Sequence, residues 1–247
     1  MRILFFLYGL VAYLLFFAAI LYGIGFVGNL WVPKGIDSGA PVSLASAIVV
    51  NVSLLLLFAV QHNIMARRWF KDWWTQFVPR PIERSTFVAF SSLILLLLYW
   101  QWRPMPETVW HVDNSLGRGV LWALYFLGWA IVFYSSFVID HFELFGLKQV
   151  WMYLTGRELA ATPFSERSIY RWVRHPLMLG FILAFWSAPS MSQGRLLFAA
   201  VTTVWILIAI RIEERDLDAI IGEPYREYRQ RTPMIVPSLR STRRGED

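Results

Sequence analysis

The stretch Tyr170-Arg171-Trp172-Val173-Arg174-His175-Pro176-Leu177-Met178-Leu179-Gly180 sets a phenol, two guanidiniums and an imidazole at the mouth of an apolar run. Ionisable groups at a membrane edge are costly to place and mark functional sites by default. A second polar cluster, Arg211-Ile212-Glu213-Glu214-Arg215-Asp216, closes the next apolar run. If the two runs form a hairpin, both clusters meet on one side of the membrane. An arginine there can clamp a carboxylate bidentately, while Glu213 and Glu214 can take ribose hydroxyls or an ammonium. Such a set suits a zwitterionic, nucleotide-like cofactor arriving from the cytoplasm. Plainer readings stand beside it. Pro176 is a good first residue for a helix, Arg171 and Arg174 can serve as snorkelling anchors, and Arg211 can pair with Glu214 at i,i+3. Tyr170 and Arg174 are i,i+4, which shares a face if that segment is helical.

A third polar group, Asp140-His141-Phe142-Glu143-Leu144-Phe145-Gly146, ends an apolar run that the charge pattern puts on the same side. It reads either as a helix end or as a proton acceptor at the membrane face, since an imidazole titrates near neutrality. Gln61-His62-Asn63 is the weaker rival. The four histidines show no metal-ligand spacing, and zero cysteines leave no thiolate or disulfide chemistry to the chain, so no protein-bound metal is expected. Gly23-x-Gly25-x-x-Gly28 matches the dinucleotide fingerprint by letter. It lies inside a hydrophobic run rather than after a strand, so close helix packing explains it better. The sequon Asn51-Val52-Ser53 falls within a span and is expected to be inert.

These clusters are positioned by long apolar blocks. Hydrophobic residues make up 57% of the 247 and charged residues 16%, where a soluble domain carries roughly 25% charge. An all-α, polytopic membrane bundle follows. Four blocks, Ile3–Leu30, Val42–Ile64, Ser85–Trp102 and Gly119–Ile139, are about long enough for a ~30 Å hydrocarbon core. Leu177–Met191 and Leu196–Ile212, of 15 and 17 residues, reach only ~22 and ~25 Å. Six spans are the favoured reading, with the last two as a C-terminal cofactor-binding hairpin turning at Ser192-Gln193-Gly194-Arg195. A five-span reading keeps the tail in place and moves only the N-terminus; a re-entrant final hairpin also keeps the tail in place.

The net charge of +6 sorts by topology and gives no nucleic-acid signal. Nineteen of the 23 lysines and arginines fall on one side of a six-span arrangement. They are Arg2, five between Arg67 and Arg84, five between Lys148 and Arg174, and eight between Arg211 and Arg244. The positive-inside rule then makes both termini cytoplasmic. Ala66–Pro79 spaces Trp69, Phe70, Trp73, Trp74 and Phe77 beside Arg67, Arg68 and Lys71, as an interfacial helix or an ordinary aromatic belt. Pro224 and Pro233 confine any helix between them to about two turns. The whole of 1–247 reads as one membrane domain with a disordered tail over 238–247, and no obligate protein partner is evident.

The run Tyr170 to Gly180, followed by Glu213-Glu214, Gly222-Glu223-Pro224-Tyr225 and Arg231-x-Pro233, resembles the isoprenylcysteine carboxyl methyltransferase-like group of membrane enzymes. Within that group the chain is most similar to the bacterial methanethiol S-methyltransferase family. Carrying that resemblance are Gln61-His62-x-x-Met65-Ala66-Arg67, Phe77-Val78-Pro79-x-Pro81-Ile82-Glu83-Arg84-Ser85-Thr86, Tyr99 to Pro104, and His141-Phe142-x-Leu144-Phe145-Gly146-Leu147-x-Gln149-Val150-Trp151. It covers most of residues 50–237. The resemblance implies S-adenosyl-L-methionine held at the cytoplasmic end of the hairpin, framed by Gln149, Tyr170, Arg174, His175, Pro176, Met178, Glu213 and Glu214. Met178 stands where the group usually has an aromatic residue, and the group's substrate arginine aligns near Ala209, two residues before Arg211. A small thiol is the implied substrate, entering from the bilayer, with His141 as candidate base and Arg174 or Arg211 as the electrostatic alternative. A bacterial inner-membrane location is implied. The related NADPH-binding reductases and the NnrU-type accessory proteins supply the alternatives.

Overall fold

A computed structural model describes residues 1–40, 42–159 and 166–237. The expected tail over 238–247 lies outside the described residues. Five helices are long and apolar enough to cross a membrane: α1 (Arg2–Gly28), α2 (Leu44–Ala66), α4 (Arg80–Gln101), α5 (Ser115–Ile139) and α9 (Gln193–Ile221). Between them lie α3 (Arg68–Trp74), β1 (Thr108–His111), α6 (His141–Leu144), α7 (Leu147–Thr155), a 3₁₀ turn (Ser168–Arg171), α8 (Pro176–Trp186) and β2 (Ser190–Ser192), and α10 (Glu223–Arg231) follows α9. The chain is a helical, multi-pass membrane protein.

The final hairpin is less regular than its hydropathy predicts. Pro176 opens α8, but the helix stops after 11 residues, about 16 Å of rise. The rest of that crossing is extended chain, with β2 pairing antiparallel to β1 from the loop before α5. Pairing with β1 satisfies the backbone of the largely buried β2, while β1 itself is exposed. The Ser192–Arg195 segment is therefore not a free polar turn. Ser192 caps α9 by accepting from the Arg195 backbone N–H, and Arg195 is buried 3.2 Å from Asp37 of the α1–α2 loop. α9 then continues for 29 residues, so Glu213 and Glu214 lie within the helix rather than at its end.

Close approach fixes the bundle. A Cβ on Gly180 would sit 2.6 Å from the Gly128 carbonyl oxygen, and one on Gly128 would sit 2.6 Å from the Gly180 oxygen, so α5 and α8 touch backbone to backbone. Gly23 instead makes room for a side chain, since a Cβ there would sit 2.6 Å from the Tyr99 hydroxyl, a packing role that fits the false fingerprint. Phe26, Trp102, Tyr125, Phe185 and Phe198 form the core where α1, α4, α5, α8 and α9 meet. Asn51 is fully buried in α2, where its Nδ2 donates to the Arg103 carbonyl and its Oδ1 accepts from the Arg103 N–H, both at 2.8 Å, so the sequon's amide is out of reach of any glycosylation.

The start of α1 and the three polar clusters share one end of the bundle. Arg2 lies over the Tyr153 ring of α7 at 5.6 Å, and Arg67 after α2 pairs with Asp216 of α9 at 2.7 Å. As expected, α3 turns Trp69 and Trp73 outward, and α10 occupies the two turns that Pro224 and Pro233 allow.

Candidate functional site

Glu214 is the centre of the hairpin mouth. One carboxylate oxygen accepts from Arg174 Nε at 2.7 Å and from His175 Nε2 at 3.0 Å. The arginine and glutamate side chains are 9% and 12% exposed. Arg174 also donates through Nη1 to the carbonyls of Arg229, at 3.0 Å, and Thr232. Backbone pairing continues this contact, with Arg174 N–H on the Pro233 carbonyl (2.9 Å) and His175 N–H on that of Met234 (3.1 Å). The segment after α10 is thus a strap across the start of α8. Pro176 is fully buried, and Met178 packs against Ile206, Ile210 and the strap's Ile235.

Glu213 points elsewhere. It is half exposed, and its Oε2 lies 3.8 Å from His175 Nδ1, beyond a hydrogen bond. Arg211 lies exposed one turn earlier and makes no ion pair among the described residues, so the i,i+3 pairing with Glu214 does not form. Tyr170 and Arg174 also do not share a helix face. The 3₁₀ turn ends at Arg171 and the chain is irregular up to Pro176, because a residue before proline is pushed out of the helical region. Tyr170 instead reaches the Ser135 carbonyl of α5 at 3.4 Å, while its own carbonyl accepts from Tyr228 of α10 at 2.6 Å. Burial, with the nearby Glu213 carboxylate and Tyr228, pushes the Tyr170 phenol well above its ordinary range. It is a neutral donor at every physiological pH.

His141 lies apart from this set. Only 3% of it is exposed, and its ring stacks on Phe137 at 4.2 Å. Ser136 Oγ lies 2.8 Å from Nδ1 and already donates its proton to the Phe133 carbonyl at 2.7 Å. It must therefore accept from Nδ1–H, which leaves Nε2 to accept from the Tyr13 hydroxyl at 2.9 Å. Burial lowers the imidazole's pKa below 6.5, with Asp140 opposing. Tyr13 was not among the sequence candidates. Its signal is a phenol in the middle of an apolar run, where a hydroxyl needs a partner.

Gln149, in α7, also lies outside the Glu214 set. Its Nε2 donates to the Glu143 carbonyl at 2.9 Å, whereas its buried Oε1 has no partner among the described residues. It lines a cavity of about 520 Å³ to which none of Tyr170, Arg174, His175, Glu213 or Glu214 contributes. Ser135 Oγ, next to the carbonyl that Tyr170 reaches, is likewise buried without a partner among the described residues. Among the described residues no group of histidines and carboxylates is arranged to hold a metal ion.

The site therefore offers a half-exposed carboxylate, a buried imidazole held by a second carboxylate, a neutral phenol, and the buried Ser135 hydroxyl, unpartnered among the described residues. These groups suit hydroxyl, ammonium and amide recognition.

No family model and no solved structure matches the chain. It is 55% identical over 236 residues to methanethiol S-methyltransferase 1 of Bradyrhizobium diazoefficiens, an alignment covering 96% of this chain and 83% of that relative. With the methanethiol S-methyltransferase of Mycobacterium tuberculosis it shares 52% identity over 231 residues, 94% and 95% of the two chains. A more distant similarity, 29% over 183 residues, links 71% of the chain to 70% of nurim from Bos taurus.

Proposed function

We propose, because the chain belongs to the methanethiol S-methyltransferase family, that it methylates the sulfur of methanethiol to give dimethyl sulfide, with S-adenosyl-L-methionine as donor. The observation that carries this reading is the identity of more than half the residues to a relative of that name over nearly the whole chain. The hairpin mouth supports it. Glu213 is a carboxylate free to take ribose hydroxyls or an ammonium, Ser135 Oγ is a buried hydroxyl in want of a partner, and Tyr170 donates without ionising. We place this mouth on the cytoplasmic side of a bacterial inner membrane, with both termini, because the cations gather at that end.

When bound, the sulfonium cofactor supplies an electrophilic methyl, so a carbon–sulfur bond to the thiolate forms as the old one breaks. The chain's own residues position and deprotonate. Glu214 neutralises Arg174 and orients His175, and Arg174 holds the strap over α8. Arg174 is thus a positioning residue here, since its guanidinium is already occupied, and Arg211 is the cation left to favour a thiolate. As a base, His141 can take the thiol proton only through Tyr13, whose hydroxyl fills the Nε2 lone pair. Both charged reactants lose hydration inside a closed site, and groups fixed in advance replace that water.

The test is headspace analysis of purified protein given methanethiol and cofactor, with binding of S-adenosylhomocysteine measured alongside NADPH. Dimethyl sulfide together with homocysteine-form binding is the expected result; NADPH binding without dimethyl sulfide would make the chain a reductase instead. Glu213→Ala and His175→Ala should each abolish cofactor binding in protein that still inserts, and unchanged affinity in both would move the site elsewhere.

A further inference from the structure

The cavity of about 520 Å³ is bounded by α3, the start of α4, α6 and α7, and its charge is out of balance with its internal contacts. Lys71, Arg80 and Arg84 face it, with Asp72 and Glu83. None of these five forms an ion pair among the described residues, whereas Asp140 and Glu143 on the same wall are both held by Lys148, at 2.5 and 2.7 Å. Arg84 is only partly exposed. Its Nε donates to the Leu144 carbonyl at 2.7 Å and its guanidinium lies 4.9 Å from the Phe87 ring, but its two terminal nitrogens make no hydrogen bond among the described residues. Gln149 Oε1, which lines the same cavity, is buried with no hydrogen-bond partner among the described residues. Partly exposed charges that have no ion-pair partner in the protein remain available to a ligand of complementary charge.

The depth of the cavity identifies the kind of ligand. Helix α3 is two-faced. Lys71, Asp72 and Thr75 at its end line the cavity, while Trp69, Trp73 and, just beyond the helix, Phe77 are 63%, 49% and 68% exposed. Exposed tryptophans beside basic residues mark the headgroup layer. The lining is not wholly polar, since Ile139 and Leu159, 45% and 41% exposed, also contribute. Three cations suit an anion with several oxygens, and two carboxylates suit a cation with several N–H groups.

We propose that this cavity binds the headgroup of an aminophospholipid, with phosphate on Lys71, Arg80 and Arg84, primary ammonium on Asp72 and Glu83, and acyl chains leaving past Ile139 and Leu159. A choline headgroup fits worse, because a quaternary ammonium has no N–H to give the carboxylates. A glycerol headgroup fits worse too, because it leaves both carboxylates facing an anion. The site goes beyond the methyl transfer and shares none of the Glu214 set.

Native mass spectrometry of the full-length, delipidated protein tests this with phosphatidylethanolamine, phosphatidylcholine and phosphatidylglycerol added in turn. The ethanolamine lipid should bind about tenfold more tightly than either other lipid, about the effect of losing one hydrogen bond to a charged group. Lys71→Gln and Arg84→Gln should each weaken it about tenfold, while Glu83→Gln should remove the preference over choline and leave choline binding as it was. Arg84 also supports the backbone at Leu144, so Lys71→Gln is the variant that keeps the test sound if Arg84→Gln does not fold. Equal binding of the three lipids, or unchanged binding in Lys71→Gln, would overturn the site. Water-soluble glycerophosphoethanolamine binding as tightly as the lipid would overturn the membrane source.

Discussion

Replacing Glu214 by alanine tests the centre of the hairpin mouth most directly. The carboxylate takes hydrogen bonds of 2.7 Å from Arg174 and 3.0 Å from His175, with the Arg174 and Glu214 side chains 9% and 12% exposed. Alanine would leave the guanidinium buried against the Arg229 and Thr232 carbonyls alone. Breaking a buried pair by removing one partner costs roughly 3–5 kcal/mol. For a chain of this size each kcal/mol moves the unfolding midpoint by about 2–4 °C, so the fall should be about 6–20 °C. Thermal unfolding of the purified protein in detergent, followed by tryptophan fluorescence, reads this directly. Glu214→Gln should lose less, since an amide oxygen still accepts. The double variant Arg174→Met/Glu214→Leu should recover much of the loss, because an apolar pair has no charge to desolvate. A midpoint for Glu214→Ala within a degree or two of the parent, or a double variant less stable than both singles, would refute the buried pair as the lock on the strap.

Turnover of His141→Ala and of Tyr13→Phe should each fall roughly 10²–10⁴-fold at neutral pH, the usual range for loss of a general base, with partial recovery as pH approaches the thiol's own pKa. Full neutral-pH activity in either variant would break the proposed proton route. The folded pKa of His141 is held below 6.5 by burial, so below that pH the unfolded chain binds more protons and stability is lost as pH falls through the folded value. The parent's unfolding midpoint should accordingly drop more steeply from about pH 7 to about pH 5 than that of His141→Phe, and equal slopes would show the imidazole is not buried neutral. Gly180→Ala places a methyl 2.6 Å from the Gly128 oxygen and should cost about 1–3 kcal/mol as overpacking, read as a lowered midpoint, with Gly119→Ala, which meets nothing within 4 Å, as the unaffected control.

Hydropathy and charge alone determined the membrane bundle, the end at which the cations gather, and the bracketing of one hairpin by two polar clusters. Each is a property of composition along the chain: a run of apolar residues must leave water wherever it ends up, and basic loops sort to one side. Proline positions were equally legible, at the start of α8 and at both ends of α10, because proline constrains its own backbone. Which groups meet was decided by the tertiary structure. Glu214 chose Arg174 and His175, 40 and 39 residues away, over Arg211 one turn along its own helix. Likewise, Tyr13 found His141 across 128 residues. Nor could hydropathy show that α8 would stop at Trp186 and give way to extended chain and β2, since apolar character reads the same in a helix and a buried strand. Hydrogen bonds and ion pairs act over about 3 Å between side chains, and the sequence carries no measure of that distance until packing closes it.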